Sequence, residues 1–251
     1  MIHQSSGNFL KDALHGIGSL FFLDICPYCQ GEPDCLKLDG RSCEEWWSEA
    51  PSIRFIDRVP IYSVVPYDDR AMAVVLAAKE RGERRARQLI VTAAASVIAT
   101  VIETRTSQDS PLILVPIPPS RRALKVRGED FIRRISVSAM ANGRFTDPDQ
   151  KQLIIAPILR WRRDIEDQSE LSITQRRQNL AEACEVDEAR AELLLSPFRP
   201  LSNQLLRIIL IDDVVTSGAT MAAAISAISH STLGSRSSLS GITACHSARP
   251  L

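Results

Sequence analysis

Aromatic residues are scarce in this chain, 5% of 251, and charge of neither sign prevails: thirty Lys and Arg face thirty Asp and Glu. The strongly basic balance that would announce a polyanionic partner is missing, so any such partner must be met by local clusters. No run approaches the ~20 apolar residues needed to span a bilayer. Lys11, Asp12 and Asp24, with no small-residue cleavage site before the first cysteine, argue against a secretory signal and make cytoplasm the expectation. HExxH, GxxxxGK and GxSxG patterns are absent and the four histidines are scattered, which removes the signatures of zinc hydrolases, P-loop enzymes and serine hydrolases. What remains is 45% apolar and 24% charged. That composition predicts a globular protein with a sizeable core, one main domain plus a small appendage.

The most informative stretch runs from Arg207 to Thr220. Ile208-Ile209-Leu210-Ile211 reads as a strand buried on both faces, hence central in a parallel sheet. Asp212 and Asp213 follow at its end, then the small-residue turn Val214-Val215-Thr216-Ser217-Gly218-Ala219-Thr220, then a helix-like run from Met221 to Ile228. A strand, a tight turn and a helix start make an anion cradle, because unpaired N–H groups converge there. Two acids just upstream suit vicinal sugar hydroxyls or a metal carried by the ligand. The chemistry implied is a phosphorylated ribose. Neighbouring strand residues point to opposite faces, so both acids meet one sugar only if the chain bends between them. The plainer alternative is an ordinary buried strand whose helix is capped by Thr216 or Ser217.

Other segments supply possible partners for that site. Apolar spacing predicts helices over 71–81 and 84–102, with Lys79 near the end of the first, as a solvated lysine beside Gly82 or a ligand contact. Short antiparallel strands are expected between Pro51 and Asp69. Leu112 to Val115 is a second buried strand, running into Pro116-Ile117-Pro118-Pro119-Ser120 and a cationic stretch with Arg121, Arg122, Lys125, Arg127, Arg133 and Arg134. That loop is the place for a second anion. Leu153 to Ile158 is a third strand; Arg160 to Leu171 is polar, and Ser172 to Ala183 looks helical. Ser229 to Ser240 reads as loop and Gly241 to Ala248 as the last strand. Alternating strands and helices imply a parallel sheet with helices on both faces, ligands sitting outside the strands' carboxyl ends.

Near the N-terminus, apolar residues at 10, 13, 14, 17, 20 and 21 are spaced for a helix. Cys26, Cys29, Cys35 and Cys43 follow within eighteen residues. Cys26-Pro27-Tyr28-Cys29 is also a redox tetrapeptide, but turn-forming Gln30-Gly31-Glu32-Pro33 follows where a redox CxxC has a helix. The expectation is a structural zinc held by the four thiolates, with a redox pair or plain thiols as alternatives. Cys184 and Cys245 read as inert core.

The Arg207–Thr220 stretch resembles the phosphoribosyl-pyrophosphate (PRPP) loop of type I phosphoribosyltransferases. With Pro116-Ile117-Pro118, Ser120-Arg121-Arg122, Arg127-Gly128 and the spacing of Gln168, Leu171, Arg176 and Asn179, nearly the whole chain resembles the ComF family of phosphoribosyltransferase-like proteins. The resemblance implies an α/β fold, a type I phosphoribosyltransferase-like parallel sheet flanked by helices over 51–251, preceded by a cysteine-rich zinc-finger-like segment over 1–50. It implies transfer of phosphoribosyl to a nitrogen acceptor with release of pyrophosphate, Mg²⁺ accompanying PRPP and Zn²⁺ in the finger. Asp212 and Asp213 would hold the ribose, and Thr216 to Thr220 the 5′-phosphate. Arg121, Arg122, Lys125 and Lys79 would face the pyrophosphate, while Arg160, Gln168, Arg176 and Asn179 would form a flap. It equally implies a non-catalytic module handling single-stranded DNA with DNA-uptake proteins. The family pattern is broken at Glu129-Asp130, where a hydrophobic residue and Asn are usual, and at the second cysteine pair. Thr216 stands where hypoxanthine and guanine salvage enzymes carry an aspartate, which argues against those bases.

Overall fold

A computed structural model describes residues 26–30, 42–103, 111–143, 153–162, 183–198 and 205–246. The predicted N-terminal helix, Cys35, Gln168, Arg176 and Asn179 lie outside these residues.

Six strands form one sheet in the order β1-β2-β8-β7-β3-β4: β1 (Ser52–Ile56), β2 (Val59–Pro66), β3 (Leu112–Pro116), β4 (Leu153–Ile155), β7 (Leu206–Val215) and β8 (Ser237–His246). Only β1 runs antiparallel to its neighbour; β2, β8, β7, β3 and β4 are parallel, so their carboxyl ends share one edge. Strands β5 (Leu159–Trp161) and β6 (Cys184–Val186) make a separate antiparallel pair. The helices are α1 (Cys43–Trp46), α2 (Asp69–Lys79), α3 (Arg84–Glu103), α4 (Arg121–Arg127), α5 (Phe131–Asn142), α6 (Glu188–Leu195) and α7 (Ala219–Ser229).

Strand β7 lies between β8 and β3, and its aliphatic run divides two cores by the period-two rule. Ile209 and Ile211 pack under α2, α3 and α5, whereas Ile208 and Leu210 pack with α6, α7 and the β5–β6 pair. Helix α3 is long and apolar enough to cross a membrane by length and composition, yet half of that window is buried, as in a core helix.

Local chemistry explains most boundaries. Asp68 caps α2 by accepting from Ala71 N at 2.8 Å, Ser120 caps α4 from Ala123 N at 3.1 Å, and Asp130 caps α5 from Arg133 N at 3.0 Å. Gly128 ends α4 at φ 69, the left-handed conformation that glycine adopts most cheaply. The expected third strand stops at Ile155 instead of Ile158, because Pro157 has no N–H to continue a ladder. The last strand begins at Ser237, inside the stretch expected to be loop. Its small residues serve packing: a Cβ at Gly241 would stand 2.5 Å from Ile61 Cδ1 and 3.1 Å from Met221 Sδ. Strand β2, expected over a sheet edge, pairs in parallel with β8 and is part of the sheet proper.

Candidate functional site

The acids lie inside β7, which runs on to Val215 instead of ending before them as expected. The β7–β8 register runs from Leu206↔Ser237 to Asp212↔Thr243 and resumes at Val214↔Cys245, passing over Asp213. The β2–β8 register passes over Val64 at the same level. Beyond this row the alternation of faces is displaced. Val214 packs against the core that holds Ile209 and Ile211, and Val215 against the one that holds Ile208 and Leu210. Strict alternation would give the reverse. The chain therefore turns about its own axis between Asp212 and Val214, the bend that two acids on one ligand require.

Lys79, the last residue of α2, places Nζ 2.7 Å from Asp213 Oδ2. Asp213 is nearly enclosed, its side chain 7% exposed, while the lysine keeps 28%. Burial alone would lower the Lys79 pKa; the Asp213 charge outweighs it and the net shift is upward. Burial would likewise raise Asp213, but Lys79 holds it below its ordinary value. Asp212 goes the other way, raised well above its ordinary value by burial and then by the charge of Asp213. Its Oδ1 accepts the Asp213 backbone N–H at 2.9 Å. The ammonium thus favours the charged form of Asp213, and that charge favours the protonated form of Asp212. The surface-lysine alternative for Lys79 does not hold.

The cradle follows directly. Gly218 takes φ 73 and stands as N-cap of α7 with no side-chain capping bond, so neither Thr216 nor Ser217 is the cap; Ser217 Oγ only approaches Ala219 N at 3.5 Å. Thr216 is exposed, Ser217 and Thr220 are half-buried, and Gly218 and Ala219 are buried. On the next strand, Pro116 pairs with Ile211, and Ile117 N donates to Ile211 O at 3.0 Å. The Pro116–Ser120 loop therefore leaves the sheet beside the acids. It leads into α4, which has no buried residue and displays Arg121, Arg122 and Lys125 in the open.

Arg127, at the end of α4, was not among the expected site residues. Its Nη1 donates to Glu80 Oε1 at 2.9 Å, and its charge acts on Lys79. Tyr67 was missed as well: burial raises its pKa first, and the Asp213 charge next. Position after the carboxyl end of β2 was the available signal for it. The departure at Glu129-Asp130 has a local use. Glu129 takes both Arg87 and Arg134 as ion-pair partners, while Asp130 caps α5.

The polar segment starts differently from expectation. Arg160 is within β5, with Nε 2.8 Å from Glu185 Oε1, and Arg162 Nε is 2.5 Å from Glu185 Oε2. Trp161 Nε1 donates to Pro118 O at 2.8 Å, tying this strand to the loop after β3.

Among the described residues one group has metal-ligand character: the sulfurs of Cys26, Cys29 and Cys43 lie within 4.8 Å of one another. A tetrahedral zinc with ~2.3 Å sulfur bonds needs thiolates about this close. Gln30, at φ 61, donates its N–H to Cys26 O at 2.8 Å and closes the turn that turns Cys29 inward. Ser42 and Glu45 form a reciprocal capping box that starts α1 at Cys43, where the helix dipole favours a thiolate. Three thiols so placed can bind a metal such as zinc. The described residues around the cluster join the main core: Cys26, Tyr28, Cys43 and Trp47 are buried with α2 and α3. Arg85 Nη1 to Glu44 Oε1, 2.8 Å, pins α1 to α3. Cys184 and Cys245 are buried thiols, as expected, the first pushed up to about 12 by burial.

Compared with protein-family models and with curated proteins, the chain matches none.

Proposed function

We propose that the protein binds PRPP at the carboxyl edge of β7 and transfers its phosphoribosyl group to a nitrogen acceptor, on a type I phosphoribosyltransferase-like fold of the ComF kind. The observation that carries the reading is the bend at Asp213. It sets both acids beside one lysine and directly upstream of an α7 start that has no side-chain cap.

Asp212 and Asp213 accept hydrogen bonds from the ribose 2′- and 3′-hydroxyls. Backbone N–H groups from Thr216 to Thr220, together with the hydroxyls of Thr216, Ser217 and Thr220, receive the 5′-phosphate. Arg121, Arg122 and Lys125 are near enough in sequence to the Pro116–Ser120 loop to meet the pyrophosphate, with Lys79 from the facing helix. The work these groups do is electrostatic: they stabilise the departing pyrophosphate as positive charge develops on the ribose ring. Asp212 and Asp213 also fit a Mg²⁺ arriving with the ligand, which would neutralise phosphate oxygens.

The single-stranded-DNA alternative draws less support from side chains. Arg160 and Arg162, two of the cations it would use, are both engaged by Glu185.

Calorimetry of PRPP with Mg²⁺ tests the proposal. Saturable binding that Asp213→Asn weakens at least tenfold is expected, the scale of one charge-assisted contact. No binding by the wild-type protein would sink the reading.

A further inference from the structure

We propose that Lys79 gates the acid pair, releasing Asp213 only to a ligand that brings a second anionic group for Lys79 and Arg127. A pyrophosphorylated ribose would be admitted and a ribose monophosphate held off. The inference rests on the ribose-phosphate reading above and adds a source of discrimination to it.

Both acids already have internal partners: Asp213 has the ammonium at 2.7 Å, and Asp212 has the Asp213 N–H at 2.9 Å. A ribose diol offers Asp213 two dipoles in exchange for a full charge, an unfavourable trade for a carboxylate 7% exposed. The exchange becomes balanced when the lysine finds a new anion. Lys79 keeps one side open to solvent. It is the last residue of α2, its side chain is 28% exposed, and Gly82, at φ 69, turns the chain just beyond it. A second cation would share the incoming anion. Arg127 bears electrostatically on Lys79, is held by Glu80, and has a buried Nε–H with no acceptor among the described residues. A donor left over beside a partly exposed ammonium fits an anion that has yet to arrive. Such a lysine differs from an ordinary phosphate contact, because it opposes one class of ligand and assists the other.

Calorimetry with ribose 5-phosphate and with PRPP, at fixed Mg²⁺, separates these roles in wild-type and Lys79→Met protein. In the wild type, PRPP should bind at least tenfold more tightly than ribose 5-phosphate, and added inorganic pyrophosphate should tighten ribose 5-phosphate binding several-fold. In Lys79→Met, PRPP should weaken about tenfold while ribose 5-phosphate binds more tightly than to wild type. If the variant does not fold, the wild-type synergy decides, and its absence overturns the gate. If both ligands weaken alike in Lys79→Met, the lysine is a plain contact; the gate falls and the ribose-phosphate reading stands. If PRPP does not bind the wild type, both fall.

Discussion

Replacing Asp212 by Asn should make the protein more stable at neutral pH. The carboxyl of Asp212 is raised by burial and by the adjacent Asp213 charge, so the folded state keeps its proton to a higher pH than the unfolded chain, which releases it near pH ~3.9. A group with a raised folded pKa contributes stability that is complete below the unfolded pKa and is lost as pH rises to the folded one. Each unit of elevation therefore costs about 1.4 kcal/mol at neutral pH. Asn resembles the protonated acid in shape, and its amide oxygen can still accept the Asp213 N–H, now at 2.9 Å. Since Asp212 is only partly enclosed, a gain of about 1 kcal/mol is expected, or a melting-temperature rise of about 2–4 °C for a chain of this size. Asp213→Asn should do the opposite. Its lowered carboxyl supplies stability above the unfolded pKa that is lost as pH falls through the folded value. Losing it strands Lys79, at about 1–2 kcal/mol, because the ammonium keeps 28% exposure and is not fully buried. Urea unfolding of both variants from pH 7.5 down to pH 4 reads the two signs. The Asp212→Asn gain should shrink steadily toward pH 4. An Asp212→Asn protein that is less stable than wild type at pH 7.5, or a gain that ignores pH, would refute the opposed shifts of the two acids.

Gly218→Val should cost about 1–3 kcal/mol of stability as well as ligand affinity, since φ 73 is strained for a β-branched residue, and urea unfolding would show it. Cys184→Ala should flatten the alkaline limb of a stability–pH profile. The wild-type thiol, neutral when folded up to about 12, loses stability at about 1.4 kcal/mol per pH unit above the unfolded pKa near ~8.5. Elemental analysis should find about one equivalent of zinc in protein purified without added metal. Because Cys26, Cys43 and Trp47 share the core of α2 and α3, chelation or Cys26→Ser should lower the melting temperature of the whole protein and change tryptophan fluorescence. A cooperative melt left unmoved by chelation would argue against a structural metal.

Sequence alone identified the doubly buried strand that carries the acid pair, because four consecutive aliphatic residues leave no solvated face, but it ended that strand before the acids, whereas β7 runs on to Val215. It also anticipated helices over 71–81 and 84–102, found at Asp69–Lys79 and Arg84–Glu103, from apolar periodicity, and, from spacing, a cysteine set of which Cys26, Cys29 and Cys43 are seen together. Capping was not read: Ser120 and Asp130 cap their helices without having been named, and Gly218, not Thr216 or Ser217, starts α7. Other features depend on contacts far apart in the chain. Nothing near Lys79 or Asp213 in the sequence says that they meet, being 134 residues apart. The bend at Asp213 shows only in which core Val214 and Val215 join, a property of the packed helices and not of the strand's own residues. Ser237 to Ser240 look like loop until pairing with β7 carries the last strand through them, and the need for glycine at 241 shows only where Ile61 and Met221 close on it. Arg160 reads as a free cation until strand pairing sets Glu185 opposite. Periodicity is local and was written in the residues; the charge state of the acid pair depends on which cation folding brings within 2.7 Å, and only the tertiary structure decided that.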